Sequence, residues 1–261
     1  MLLTDCAFGA RPDAWPLPPA TTAEEHWHRA VAAGGQGHYG AALADLETLA
    51  RLPASGALRS LGLSTRASFL RQLGHHGAAR VWDGRAWGAV AADPDAAPDA
   101  AADALVGLAA DALGVGRFAL SARLLHRAAP VVERAQPRAA VRWGWVSAEL
   151  AMATGQGAAA VGHAERAVGR AGTTGSTRHA VKSEVVLAAA LCCSGELDAS
   201  RRVAEAALGM AERHGLVPLT WALASLLGDI GGVTREAEEL RATRERSAAV
   251  VRHRGGTWAV R

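Results

Sequence analysis

The stretch HWHRAVAAGGQGHYGAALADLETLARLP, residues 26–53, predicts an apolar helix, a short glycine turn and a second helix that begins with small residues. Gly37 stands at the turn, where a left-handed backbone conformation commonly ends a helix and where glycine is the favoured residue. The stretch therefore predicts two helices that pack against each other in opposite directions.

The same pattern recurs along the chain at intervals of 36 to 42 residues. The turn glycines of the six copies are Gly37, Gly74, Gly116, Gly155, Gly195 and Gly231. Seven residues before each glycine stands an alanine, namely Ala30, Ala67, Ala109, Ala148, Ala188 and Ala224. The distance between packed helices depends on the side chains at their contact, so alanine here predicts closely packed hairpins.

The second helices of the copies also carry small residues at matching positions. Five residues after the glycines stand Ala42, Ala79, Ser121, Ala160, Ser200 and Glu236, and twelve after them stand Leu49, Ala86, Ala128, Ala167, Ala207 and Thr243. The last copy, with Glu236 and Thr243, resembles a terminal repeat, because such repeats need a polar outer face. The sequence thus predicts a stack of six hairpins whose last member is a cap.

Composition points to the same fold class. The 261 residues include 62 alanines but only one isoleucine, one tyrosine and three phenylalanines. Alanine is the best helix former, whereas β-branched and aromatic residues favour strands. This balance argues against a β-sandwich, a barrel or a large parallel sheet, and it predicts an all-helical protein.

Cysteine content and hydropathy predict a cytoplasmic protein. Cys6, Cys192 and Cys193 do not make a disulfide framework. No stretch of about eighteen uninterrupted apolar residues exists, and the N-terminal residues lack the features of a signal peptide. The formal net charge is +3, and residues 235–261 carry this excess. We therefore expect no membrane partner, and any attraction to acidic partners should be strongest near the C-terminus.

These features resemble the tetratricopeptide repeat (TPR) family, whose 34-residue unit has the same small residues and turn glycine. The segments that carry the resemblance are GHYGAALADLETLARLP, LSTRASFLRQLGHHGAARVW and ALVGLAADALGVGRFALSARLLHRA. The copies here are longer, like those of TPR-like sensor domains in bacterial transcription regulators, and Asp83 stands where the family usually has an apolar residue. The resemblance implies a right-handed α-solenoid of about six hairpins. We expect a Pro-rich segment at 1–20, the repeat domain at 21–254 and a tail at 255–261.

Such a solenoid would bind a partner in the concave groove that its first helices line. Counting back from the turn glycines to the family's groove positions gives Trp27, Ser68, Arg71, Arg142, Trp145, Glu149, Lys182 and Trp221. Tryptophan and arginine are favoured anchors at interfaces, and arginine forms paired hydrogen bonds with carboxylates. The resemblance therefore predicts a non-catalytic scaffold or adaptor whose protein or peptide ligand is acidic or offers a free carboxylate.

Other functions stay open at this point. A basic patch of Arg241, Arg244, Arg246, Arg252 and Arg254 suggests a regulator that contacts nucleic acid through its C-terminal helix, in a chain that could form a homodimer. A third hypothesis is a small-ligand sensor or an enzyme on a helical scaffold. No catalytic motif or metal-ligand spacing stands in the sequence, so we expect no catalytic residues, no metal and no cofactor. The adjacent Cys192 and Cys193 could sense oxidants, although small cysteines also serve to fill space between helices.

Overall fold

A computed structural model describes residues 2–259, so Met1, Val260 and Arg261 of the two predicted terminal segments lie outside the described residues. Within that range the chain forms thirteen α-helices and no strand. The helices are α1 (Leu3–Phe8), α2 (Ala23–Gly35), α3 (Tyr39–Arg51), α4 (Gly56–Gln72), α5 (His76–Gly88), α6 (Pro98–Gly114), α7 (Phe118–Val132), α8 (Pro137–Ala153), α9 (Gly157–Thr173), α10 (Thr177–Cys193), α11 (Leu197–Arg213), α12 (Val217–Ile230) and α13 (Ala237–His253). None of them combines the length and apolar character needed to cross a membrane.

Helices α2 to α13 pair into six consecutive hairpins, and neighbouring hairpins pack side by side. All six predicted turn glycines have φ between 72° and 89°, the left-handed conformation that a side chain would strain. The prediction of an all-helical solenoid of six hairpins is confirmed. We call the even-numbered helices α2 to α12 the inner helices and their partners the outer helices.

Alanine sets the close contact inside each hairpin. The six alanines that precede the turn glycines are at most 1% exposed. On the outer helices the small residues from Ala42 to Ser200 are also fully buried. Glu236 lies just before the second helix of the last hairpin rather than within it, because the turn after α12 is longer than the others and α13 begins only at Ala237. Glu236 is therefore an exposed residue at the start of α13.

The Pro-rich N-terminal segment packs on the solenoid. Helix α1 lies against α2 and also touches α10, where the Thr177 amide donates a 3.2 Å hydrogen bond to the Gly9 carbonyl. The Gln36 side-chain amide donates to the carbonyls of Pro12 and Ala14, at 2.8 and 2.9 Å. Residues 2–20 therefore link the first hairpin to the fifth.

The C-terminal tail joins the two ends of the solenoid. The amide of Gly40 donates to the Arg254 carbonyl at 2.9 Å, and the amide of Ala259 donates to the Leu73 carbonyl at 2.8 Å. Val251 of α13 is fully buried within the core of the first hairpin. The sixth hairpin thus lies against the first, and the six inner helices surround one shared interior.

Candidate ligand-binding cavity

The inner helices line a partly open cavity of about 360 Å³, which we call the central cavity. Every inner helix contributes to its wall, and Phe8 of α1 completes it. All eight groove residues that the spacing predicts lie in this wall: Trp27, Ser68, Arg71, Arg142, Trp145, Glu149, Lys182 and Trp221. The repeat spacing therefore brings residues from five distant segments to one site.

Arg71 is held by two buried carboxylates. Its guanidinium donates to Asp83 of α5 and, at 2.9 Å, to Asp111 of α6, while Ser64 donates to Asp83 at 2.8 Å. Burial raises the pKa of Asp83, and burial together with Asp83 raises that of Asp111 to about 7. Arg71 is thus a structural partner of Asp83, and this pairing explains the carboxylate that breaks the repeat pattern.

Arg138 and Arg142 of α8 share a single carboxylate on α6. Asp103 forms ion pairs with Arg138 at 2.8 Å and with Arg142 at 2.5 Å. Although burial favours its neutral form, the two guanidinium groups keep the pKa of Asp103 below its usual range. One carboxylate therefore balances two cations, and positive charge remains at the cavity wall.

Lys182 and Trp145 lie next to each other in the wall. The Lys182 ammonium is 5.9 Å from the centre of the Trp145 ring and 3.5 Å from the Glu149 carboxylate. The Trp145 indole donates to Ser183 at 2.8 Å and stacks on the His179 imidazole at 5.3 Å between ring centres. These contacts hold the indole ring in one orientation at the cavity surface.

Arg178, in the first turn of α10, is the cavity cation whose charge is least balanced by nearby carboxylates. Its Cδ runs 2.9 Å from the place where a side chain on Gly35 would begin, so glycine makes room for it. Among residues 2–259 no carboxylate forms an ion pair with Arg178. Burial lowers its pKa, and the neighbouring Arg142 lowers it further. Arg178 is half-buried in the cavity wall, where a cation is less well solvated than in water, so this position favours an anion.

The charges around the cavity do not cancel. The cations are Arg71, Arg138, Arg142, Arg178 and Lys182, and the carboxylates that line the cavity or pair with them are Asp83, Asp103, Asp111 and Glu149. One positive charge is therefore in excess when all four carboxylates are ionised, and two when Asp111 is protonated.

Sequence reasoning missed Arg138, Arg178 and Phe8. Arg138 and Arg178 stand 17 residues before the turn glycines Gly155 and Gly195, one helical turn before Arg142 and Lys182. Extending the count by four residues would have found both, because positions four apart share a helix face. Phe8 lies outside the repeats, so no periodic signal marks it.

The five arginines of the predicted basic patch have different surroundings in the structure. Arg241 pairs with Glu238 at 2.5 Å and with Glu245 at 3.3 Å. Arg254 turns inward and donates to the Gln36 carbonyl at 2.8 Å, and Arg246 donates to Thr243 at 3.0 Å. Arg244 and Arg252 are exposed. Nucleic-acid contact through this helix stays a prediction.

Histidine and cysteine side chains were the sequence's candidates for metal binding and for redox sensing. In the part of the chain that the structure describes, no three His, Cys, Asp or Glu side chains converge as metal ligands would. His26 bonds to Asp45 at 2.8 Å, and His75 bonds to the Thr257 carbonyl at 2.8 Å. Burial raises the pKa of the Cys193 thiol, which disfavours the reactive thiolate.

Fold and cavity together define the chain as a closed solenoid of six helical hairpins around a positively charged interior. No family model matches the chain, and no curated protein matches it in sequence.

Proposed function

We propose that this protein is a non-catalytic binding domain that takes the anionic group of a ligand into its central cavity. The observation that carries the proposal is Arg178, a cavity arginine that no carboxylate of residues 2–259 pairs with. The excess positive charge and the neighbouring Arg142 make the same place attractive to an anion. Arginine suits a carboxylate because its fork of N–H groups matches the two oxygens.

A carboxylate can reach the cavity from two sources. The first is the C-terminal end of a peptide or protein, which is the scaffold function that the resemblance to TPR proteins implies. A cavity of about 360 Å³ holds a chain end rather than a folded partner. The second source is a free carboxylic acid, which would make the domain a sensor or carrier of a small molecule. Both would use the same cation.

Replacing Arg178 with Met tests the proposal. Met keeps much of the side-chain volume and removes the unpaired charge, so we expect a free protein that is at least as stable and no longer binds carboxylates. The measurement is thermal unfolding and titration calorimetry with hexanoate and with a short peptide whose C-terminus is free or amidated. Ligand at about 100 times its Kd should stabilise the wild type by about 2.7 kcal/mol.

Arg252→Met is the matched control, because Arg252 is exposed on α13, away from the cavity. It should bind like the wild type. Preference for the free over the amidated peptide identifies a chain end as the source, whereas binding of hexanoate alone identifies a small acid. If Arg178→Met binds every carboxylate as tightly as the wild type does, the proposal is wrong.

A further inference from the structure

Resting on that proposed function, we infer that the ligand of the central cavity is an aromatic carboxylate, held with its carboxylate at Arg178 and its ring against Trp145. The cavity combines an unpaired guanidinium with a run of aromatic rings and with a wall of small residues. These three features together match a flat ring that carries a single acid group.

The first feature is a continuous run of aromatic rings along one wall. Trp27 lies 5.3 Å from Phe8, Phe8 lies 6.3 Å from His179, and His179 lies 5.3 Å from Trp145, measured between ring centres. Rings at such separations gain from offset and edge contacts. A ligand ring placed against this run would extend it.

Two cations other than Arg178 lie over the aromatic rings of this wall. The Arg138 guanidinium is 5.3 Å from the Phe8 ring and 5.9 Å from the Trp27 ring, and Lys182 is 5.9 Å from the Trp145 ring. Arg138 and Lys182 also have carboxylate partners, Asp103 and Glu149. Within the described part of the chain Arg178 has neither an aromatic ring nor a carboxylate as a partner, so it is the residue that would receive the ligand carboxylate.

His179 lies between the proposed anion site at Arg178 and the ring of Trp145. It directly follows Arg178 on α10, and its Nδ1 is 2.8 Å from the Ser176 hydroxyl, which fixes the plane of the ring. Burial and the nearby Arg178, Arg138 and Arg142 hold its pKa well below the usual range. The imidazole is therefore neutral near pH 7 and stacks without adding charge.

Small residues on α4 and α6 also line the cavity. Ser68 and Ala110 are among them, whereas the space beside Gly107 and Gly114 is filled by the Asp83 carboxylate and the His76 ring. A larger side chain at Ser68 or Ala110 would fill the space that a flat ring needs. The limited excess of positive charge fits one carboxylate better than a polyphosphate.

Calorimetry with four probes tests the inference: 1-naphthoate, benzoate, cyclohexanecarboxylate and inorganic phosphate. We expect 1-naphthoate and benzoate to bind at least ten times tighter than cyclohexanecarboxylate, which has the same acid group but no π face. Inorganic phosphate should not compete. Equal affinity for benzoate and cyclohexanecarboxylate would overturn the ring assignment and leave the proposed function standing.

Trp145→Leu locates the ring within the cavity. It should cost 1-naphthoate at least ten-fold in affinity and cyclohexanecarboxylate less than three-fold, and Trp145→Phe should restore most of the loss. The matched control is Trp82→Leu, because Trp82 lies on outer helix α5 beneath Arg66, away from the cavity. Circular dichroism and thermal unfolding verify that each variant is folded.

The results separate the two proposals. If no carboxylate binds the wild type, both the proposed function and this inference fail. If hexanoate or a peptide end binds through Arg178 while the aromatic acids do not, only the inference fails. Unchanged binding of 1-naphthoate by Trp145→Leu would also overturn the inference, because the ring would then lie elsewhere.

Discussion

Arg71, Asp83 and Asp111 form a buried group in which two carboxylates from different helices bind one guanidinium. Asp83 and Asp111 are fully buried, and one Asp111 oxygen has no hydrogen-bond partner within residues 2–259. Two neighbouring carboxylates resist ionising together, so one of them holds a proton at a higher pH than an isolated aspartate would. This arrangement makes the stability of the protein depend on pH.

Asp111→Asn should change that dependence. The pKa of Asp111 is raised to about 7 in the folded protein, from an ordinary value of 3.8, so the folded state binds more protons there at intermediate pH. The Asp111 contribution to stability is therefore present at low pH and is lost as pH rises through about 7. We expect the free energy of unfolding of Asp111→Asn to gain on that of the wild type between pH 5 and 8. The gain is at most about 1.4 kcal/mol per pH unit.

Urea unfolding at pH 5, 6, 7 and 8 measures the difference between the two proteins. Buried histidines such as His179 destabilise both proteins at low pH, and this effect cancels in the comparison. Asp95→Asn, on an exposed loop residue, is the control and should run parallel to the wild type. Parallel curves for Asp111→Asn and the wild type would contradict the prediction.

The sequence predicts which side chains line the site, but it does not predict which of them form ion pairs. Repeat spacing predicts which side chains face inward, because that depends only on helical period, and Trp145, Arg142 and Lys182 lie where it predicts. Repeat spacing cannot predict that Arg71 forms an ion pair with Asp111, which is 40 residues away in the chain. Arg178 was missed because the count stopped one helical turn short.

At the scale of the helix, replacing two glycines with alanine should change the free energy of unfolding in opposite directions, although helix propensity is the same at both positions. Gly107 lies inside α6, and a Cβ there would collide with the buried carboxylate of Asp83, which Arg71 and Ser64 hold in place. Gly84 lies inside α5 with open space around it. Helix propensity alone favours alanine at both positions.

We therefore expect Gly107→Ala to lower the free energy of unfolding by about 1–3 kcal/mol, as overpacking does. Gly84→Ala should raise it by about 0.5–1 kcal/mol. Urea unfolding of the two variants and the wild type makes the comparison. Stabilisation by both substitutions would show that Asp83 can move, and would contradict the buried ion group described above.

The helices themselves follow closely from the sequence, and the exceptions have local causes. Turn glycines and flanking alanines determine six hairpins because both act within a few residues. Glu236 falls just before α13, unlike its counterparts in the other hairpins, because the turn after Gly231 is longer than the other five. Helix α1 was not predicted, since six residues are too few for a periodic pattern.

At the scale of the whole molecule, hydrogen bonds join residues 254–259 to the first two hairpins. Trp258 adds an aromatic contact with Trp221 of α12, at 4.4 Å between ring centres. Trp258 also packs against the core of the first hairpin. Removing residues 255–261 should therefore loosen the first and sixth hairpins while the third and fourth stay intact. Hydrogen exchange should show faster exchange in α2 and α12 of the shortened chain and little change in α6 and α8.

An equally large increase in α6 and α8 would contradict this prediction, because it would mean that the tail supports the whole fold rather than its junction. Val233→Ala is the control, because Val233 is exposed on the turn after α12. It should leave exchange unchanged in all four helices.

The meeting of the two ends has a consequence for cooperativity. An open row of repeats behaves like a one-dimensional chain in which each unit interacts only with its neighbours, so end units fray independently. Where the last unit also touches the first, each hairpin has two neighbours and fraying has no free end from which to start. The full chain should accordingly unfold in one all-or-none transition, and a ligand at its centre would stabilise all six hairpins at once.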